Sequence, residues 1–172
     1  SSHQLDDPER GFAFRHKELL LPLDMRMGKE APFSAADLLN TRSAKTLESI
    51  FKEYGEIWNA PKLVAAIMNY RKKTKFQTIG QFVQLASPFT IGQVNQYLAK
   101  VFQALRIAVN NEMEVLKSVL EDSIHFIKPG GRLVILSYHS LEDRMVKHLI
   151  QTGNVEGIIN QDQYGNKKMY YK

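Results

Sequence analysis

Between Glu9 and Met27 the chain reads "ERGFAFRHKELLLPLDMRM", which gathers two phenylalanines, three arginines and two methionines in a stretch punctuated by Gly11 and Pro22. In an extended segment alternate side chains share a face, so Phe12 and Phe14 point the same way with Arg10 and Arg15 flanking them. Rings and guanidiniums on one loop suit a flipped or single-stranded nucleobase, each stacked base contributing about 1–3 kcal/mol. The "PLDMRM" segment alternates similarly, setting Leu23, Met25 and Met27 against Asp24 and Arg26. On residue chemistry alone a second account fits as well: an apolar plug over a sheet edge, with its arginines in water.

A second group lies in "SYHSLEDR", where Ser137, His139, Ser140, Asp143 and Arg144 follow an apolar run. Polar side chains at the carboxyl end of a buried strand stand where a doubly wound sheet places its ligands, and these could order a base or its phosphate. The structural alternative is that Ser140 caps the next helix with Asp143 at its third position, and that His139 is an ordinary hydrogen-bonded histidine. In "FQALRIAVNNE" the apolar residues read as core, while Arg106, Asn110 and Glu112 are placed to pin that helix to a loop or to RNA. "YRKKTK" reads as a solvated helix end, its lysines complementing the helix dipole.

The elements that must position these groups fall into three segments. Residues 1–33 carry Pro8, Gly11, Pro22, Gly28 and Pro32 and read as loop and short extended structure. Residues 34–100 form a helical module. Ser34 is a natural N-cap with Asp37 at the third position, Leu47, Ile50, Phe51 and Tyr54 repeat at helical spacing up to a terminal Gly55, and Pro61 opens the next helix. Residues 101–172 change character. A stripe from Val94 through Leu105 and Val109 to Leu120 is long for one helix and is expected to break near Asn110. "GRLVILSYHS" has the pattern of a buried parallel strand, "LEDRMVKHLI" returns to helical spacing, and Gly165-Asn166 suits a hairpin turn.

Composition bounds the partners. With 172 residues, 44% of them hydrophobic and 24% charged, the chain can close a sizeable core and is not compositionally disordered. No apolar run approaches the length of a bilayer span, so no membrane partner is expected. The absence of cysteine excludes a disulfide framework and any thiolate zinc site, which fits a cytoplasmic location. A net charge of +5 favours a polyanionic partner without requiring one.

Three stretches, "SSHQLDDPERGFAFRHKELLLPLDMRM", "FQALRIAVNNEMEVL" and "KPGGRLVILSYHSLEDRMVK", resemble consecutive signature blocks of the RsmH (MraW) family. Members of that family are S-adenosylmethionine-dependent methyltransferases acting on the N4 amine of a cytosine in small-subunit ribosomal RNA. The resemblance implies an α/β fold, a Rossmann-like class I methyltransferase domain interrupted by an inserted all-α domain. It implies Gln4, with Ser1, at the cofactor, and Ser2, His139 and Asp143 at the catalytic centre. For the RNA it favours Arg10, Phe12, Phe14, Arg26, Arg106, Ser140 and Arg144. The ribosomal RNA or the small subunit itself would be the partner, with a homodimer possible. Because the sulfonium already activates the methyl group, no metal is expected. The chain opens at Ser1 without a methionine, and the family's glycine-rich cofactor turn and basic C-terminal segment are not in it. A central fragment, inactive by itself, is therefore the expectation. Two departures from the pattern are visible: His3 where proline is usual, and "GQVNQYLAK" in place of a His-Pro-Ala-type stretch. A non-catalytic RNA-binding module and a helical protein-interaction domain are the competing readings of the same residues.

Overall fold

Short polar side chains decide where the helices begin. The computed structural model describes residues 16–28, 31–128, 130–137, 139–159 and 161. Its elements are α1 (His16–Leu19), α2 (Ala35–Thr41), α3 (Ala44–Gly55), α4 (Ala60–Arg71), α5 (Ile79–Ala86), a 3-10 turn at Ser87–Phe89, α6 (Val94–Asn110), α7 (Glu112–Phe126) and α8 (Ser140–Thr152). Ser34 and Asp37 complete a reciprocal capping box on α2, as do Thr78 and Gln81 on α5. Ser43 caps α3 through the amide of Thr46. None of the helices among the described residues is long and apolar enough to cross a membrane.

Chain contacts separate two compact units, Ser1–Asn110 and Asn111–Lys172. The boundary falls where α6 ends and Asn111 takes a left-handed conformation (φ 51°), so the expected break near Asn110 is present. α6 itself runs across the boundary at 100/101 that composition suggests.

The first unit is built around aromatic rings. Phe82 sits between Phe51, Phe76 and Phe102, with centroids 6.4, 5.9 and 5.5 Å away, and Tyr70 stacks on Phe76 at 4.6 Å. Stacked pairs (Phe51–Phe82, Tyr70–Phe76) and edge-to-face pairs (Phe76–Phe82, Phe82–Phe102) both add to the burial term itself. Leu47, Leu63, Val64, Ile67, Leu98, Val101 and Leu105 complete the core. α3 and α6 approach so closely that a Cβ on Gly55 would lie 2.9 Å from the Lys100 carbonyl oxygen. Gly55 is therefore needed for helix contact, and the left-handed cap expected of it is taken by Glu56 (φ 52°).

The second unit has a smaller core, in which Leu120, Leu149 and Val155 are joined by Leu116, Ile124, Ile135, Met145 and Val146. Here the sequence-based expectation needs correction. Residues 131–137, read as a buried parallel strand, join no ladder among the described residues, and Val134 and Leu136 are 86% and 81% exposed. A parallel strand is buried only by neighbours on both edges and helices on both faces. No strand forms among the described residues, whose regular elements are helices; an isolated antiparallel bridge joins Pro22 to Thr78. Residues 1–33 also depart from expectation, since α1 occupies part of what reads as loop. The proposed hairpin at Gly165-Asn166 lies outside the described residues.

A methyl group on Gly55 tests the close approach of α3 and α6. Gly55→Ala gains helix propensity but forces backbone apart, so a net loss of about 1–2 kcal/mol is expected. Chemical denaturation should show a lower midpoint with an unchanged slope; an unchanged or higher midpoint would mean that the helices yield without cost.

Candidate functional site

Residues 21–27 are fastened to the helical unit along nearly their whole backbone. The amide of Leu23 donates to the Gln77 carbonyl (2.8 Å) and that of Ile79 to the Leu21 carbonyl (3.0 Å). The amides of Ala35 and Ala36 donate to the carbonyls of Asp24 (2.7 Å) and Leu23 (2.9 Å). Leu23, 1% exposed, anchors the segment in the core. These bonds join the segment to the starts of α2 and α5, the two helices fixed by capping boxes.

One side chain then closes the loop. The Asn110 carboxamide, at the last residue of α6, donates through Nδ2 to the carbonyls of Met25 and Arg106, both at 2.9 Å, and accepts the Met27 amide at 2.8 Å through Oδ1. Between its two loop contacts Met25 has φ 64°, a left-handed conformation that an unbranched non-glycine residue adopts at a cost of about 1–3 kcal/mol. The hydrogen bonds offset that cost. The turn also breaks the alternation expected of "LDMRM": Leu23 is buried, whereas Met27 is 70% exposed instead of sharing its face.

What the loop presents is Arg26. Its Nε and Nη2 donate to the two carboxylate oxygens of Asp24 at 2.6 and 2.8 Å, and its amide donates to Asp24 Oδ1 at 3.3 Å. A two-pronged pair fixes the plane of the guanidinium and leaves its other N–H groups for an external acceptor. The Arg26 guanidinium holds the Asp24 carboxyl below its ordinary range, with the Arg26 amide adding to the effect. Asp37, which accepts from the amide and hydroxyl of Ser34, is lowered in the same direction.

In the second unit the polar groups collect where α8 begins. His139 is the N-cap residue of α8 and makes no capping bond, so Ser140 is the first helical residue, not the cap. The His139 side chain is 10% exposed, and its Nε2 lies 3.0 Å from Glu142 Oε1. That pair is within ion-pair distance but not aligned as a hydrogen bond, and neither ring nitrogen has a hydrogen-bond partner among the described residues. A carboxylate oxygen of Glu112, at the first position of α7, completes a group of three whose ligand atoms all lie within 4.8 Å of one another. Asp143 instead faces Lys147 at 2.6 Å on an exposed surface, and Arg144 is exposed.

Of the residues expected at a site, Ser1, Ser2, Gln4, Arg10, Phe12 and Phe14 lie outside the described residues. Asn110, expected with Arg106 and Glu112 to pin its helix to a loop or to RNA, bonds to the backbone of Met25 and Met27 on either side of Arg26, and Arg106 meets the same carboxamide through its carbonyl. Sequence reasoning overlooked Asp24 as the partner of Arg26, and Glu142 beside His139. The i, i+3 spacing at a helix start was the available signal for Glu142. "YRKKTK" divides into two roles: Arg71 is tied into the fold by donating to the carbonyls of Leu39 (3.0 Å) and Arg42 (2.6 Å), while Lys72, Lys73 and Lys75 are exposed.

Comparison with known proteins bears on the chain as a whole. The model of the MraW methylase family matches residues 1–163. The chain is 52% identical over 167 residues to the ribosomal RNA small subunit methyltransferase H of Bacteroides fragilis (strain YCH46), covering 96% of this chain and 54% of the relative. To the protein of the same name from Phocaeicola vulgatus it is 50% identical, covering 100% and 56%. To that from Cytophaga hutchinsonii it is 44% identical, covering 100% and 57%. The chain thus spans about half the length of the curated relatives it matches.

Two measurements test the pinned loop. Asn110→Ala should cost about 2 kcal/mol and speed hydrogen exchange of the Met27 amide about tenfold or more, while Asn110→Asp, which keeps the acceptor for that amide, should speed it less. Equal exchange in all three proteins would show that the loop stands without the carboxamide. The carboxyl of Asp24 should titrate below its ordinary 3.8 and move back toward it in Arg26→Ala. Because the folded state favours the ionised form, this contribution to stability is present above pH 3.8 and is lost as pH falls through the depressed value. A titration of Asp24 unmoved by Arg26→Ala would sever the link between the two side chains.

Proposed function

The chain belongs to the MraW methylase family, and from that premise we propose that the protein transfers a methyl group from S-adenosylmethionine to the N4 amine of a cytidine in small-subunit (16S) ribosomal RNA. The observation that carries the proposal is the family match across residues 1–163. The relatives named as small-subunit ribosomal RNA methyltransferases supply the substrate class.

The chemistry sets what the protein must provide. The lone pair of a cytosine N4 amine is delocalised into the ring, so the amine must be oriented in line with the sulfonium methyl and given an acceptor for its hydrogen. N4 attacks the methyl carbon, the carbon–sulfur bond breaks to leave S-adenosylhomocysteine, and the proton departs from N4. In this reading Ser2 offers the acceptor and Gln4, with Ser1, meets the methyl donor. The cavity lined by Ile57, Trp58, Asn59, Ile91 and Tyr97 has about 140 Å³, against roughly 300–1,000 Å³ for ordinary small-molecule sites.

For the RNA, the pinned loop is the best-supported contact. A guanidinium held flat against Asp24 on a backbone fixed by hydrogen bonds loses little freedom when a phosphate or base edge meets its remaining donors. Arg10, Phe12 and Phe14 precede this loop in sequence and are proposed to stack and hold the target base, with Arg106, Ser140 and Arg144 as further RNA contacts. His139 and Asp143 are assigned to ordering the base or its phosphate.

The deciding experiment is methyl transfer from labelled S-adenosylmethionine to unmodified small ribosomal subunits by the whole protein, with nucleoside analysis. Label in N4-methylcytidine is expected, and Arg26→Ala should lower kcat/KM on the order of tenfold with the melting temperature nearly unchanged. Absence of label while RNA is still bound would assign the fold to a non-catalytic RNA-binding role.

A further inference from the structure

We infer that Glu112, His139 and Glu142 form a binding site for a divalent transition-metal cation of the Mn²⁺ or Zn²⁺ type. The inference stands on the geometry of the second unit and does not require the methylation reading. Two observations carry it. The first is convergence: one imidazole and two carboxylates, from the N-cap of α8, its first turn and the first residue of α7, bring their ligand atoms within 4.8 Å of one another. The second is the state of the histidine. Its side chain is nine-tenths buried, and neither ring nitrogen makes a hydrogen bond among the described residues.

A buried imidazole nitrogen without a partner carries a desolvation cost of about 1–3 kcal/mol. Such a cost is removed by a partner that accepts the nitrogen lone pair along its axis, and a cation does so. The carboxylate of Glu142, 3.0 Å from Nε2 but off the hydrogen-bond direction, stands as a second ligand would beside a shared ion. An imidazole with two carboxylates is a donor set that divalent ions of this type take, and Asp143, the next acidic residue along α8, is turned to Lys147 at 2.6 Å and stays outside it. The imidazole argues for a transition-type ion over Mg²⁺ or Ca²⁺, which take oxygen ligands almost exclusively. Three protein ligands leave coordination positions for water or for an anionic oxygen brought by a partner.

Isothermal titration of the untagged, chelator-treated whole protein with Zn²⁺, and with Mn²⁺ followed by electron paramagnetic resonance, tests the site. One ion per chain is expected, with Glu112→Gln and Glu142→Gln each weakening the affinity on the order of tenfold or more. On the unaltered protein, substoichiometric Mn²⁺ should broaden the ring proton resonances of His139. Lack of binding, binding undiminished in the double Glu→Gln variant, or His139 resonances indifferent to Mn²⁺ would each overturn the inference.

Discussion

The loop that presents Arg26 depends on one carboxamide. Asn110 satisfies two backbone carbonyls and one amide at once, and two of these groups belong to a loop more than eighty residues away in sequence. A side chain can do this only if its own backbone is immobile. The helix that carries it is immobile because Val101, Leu105 and Val109 are buried on the turns before it. The chain of cause therefore runs from apolar spacing in α6, through a fixed carboxamide, to a left-handed residue at Met25 and a presented guanidinium at Arg26. Each step is weak alone. Together they convert a loop, which would ordinarily sample many conformations, into a surface with one arrangement of donors.

The core explains why α6 can serve both purposes. Its buried face packs on α3 at a distance that only a glycine at position 55 permits, and Phe102 enters the aromatic group around Phe82. Close packing of this sort has no continuous range of alternatives, because small shifts would open voids or create clashes. The end of α6 is thus placed with the precision of the core, and Asn110 inherits it. The capping boxes at Ser34 and Thr78 act in parallel, fixing the helix starts to which the other side of the loop is bonded.

How much of this was legible depends on range. Ser34 with Asp37, the helical stripes and the break near Asn110 could be read because their causes lie within a few residues. Asn110 could be named as a residue that pins helix to loop, but its partners at Met25 and Met27 could not, since contact between positions so far apart follows only from the packed core. The apolar run 131–137 shows the opposite limit. Its pattern speaks of burial, yet burial of a parallel strand is a property of its neighbours; among the described residues Val134 and Leu136 lie exposed and only Ile135 packs on the small core. The conformation of Met25 was illegible for a further reason: nothing in a methionine announces a positive φ, which the surrounding hydrogen bonds impose.

The group at the start of α8 was half legible. His139 attracted attention by its residue type and by its place after an apolar run, but Glu112 enters from a different helix and Glu142 from one turn on, so the sequence could not say that the three converge. Convergence also changes the meaning of the histidine. An exposed imidazole beside a carboxylate is an ordinary surface pair of small consequence. A nine-tenths buried one, with two carboxylates near and no hydrogen bond on either nitrogen, is an arrangement that costs free energy until something completes it. Asp143, one residue beyond Glu142, makes the contrast: it is exposed enough to take Lys147 as a partner. Burial, more than residue type, therefore separates the acidic residue that joins this cluster from its more exposed neighbour.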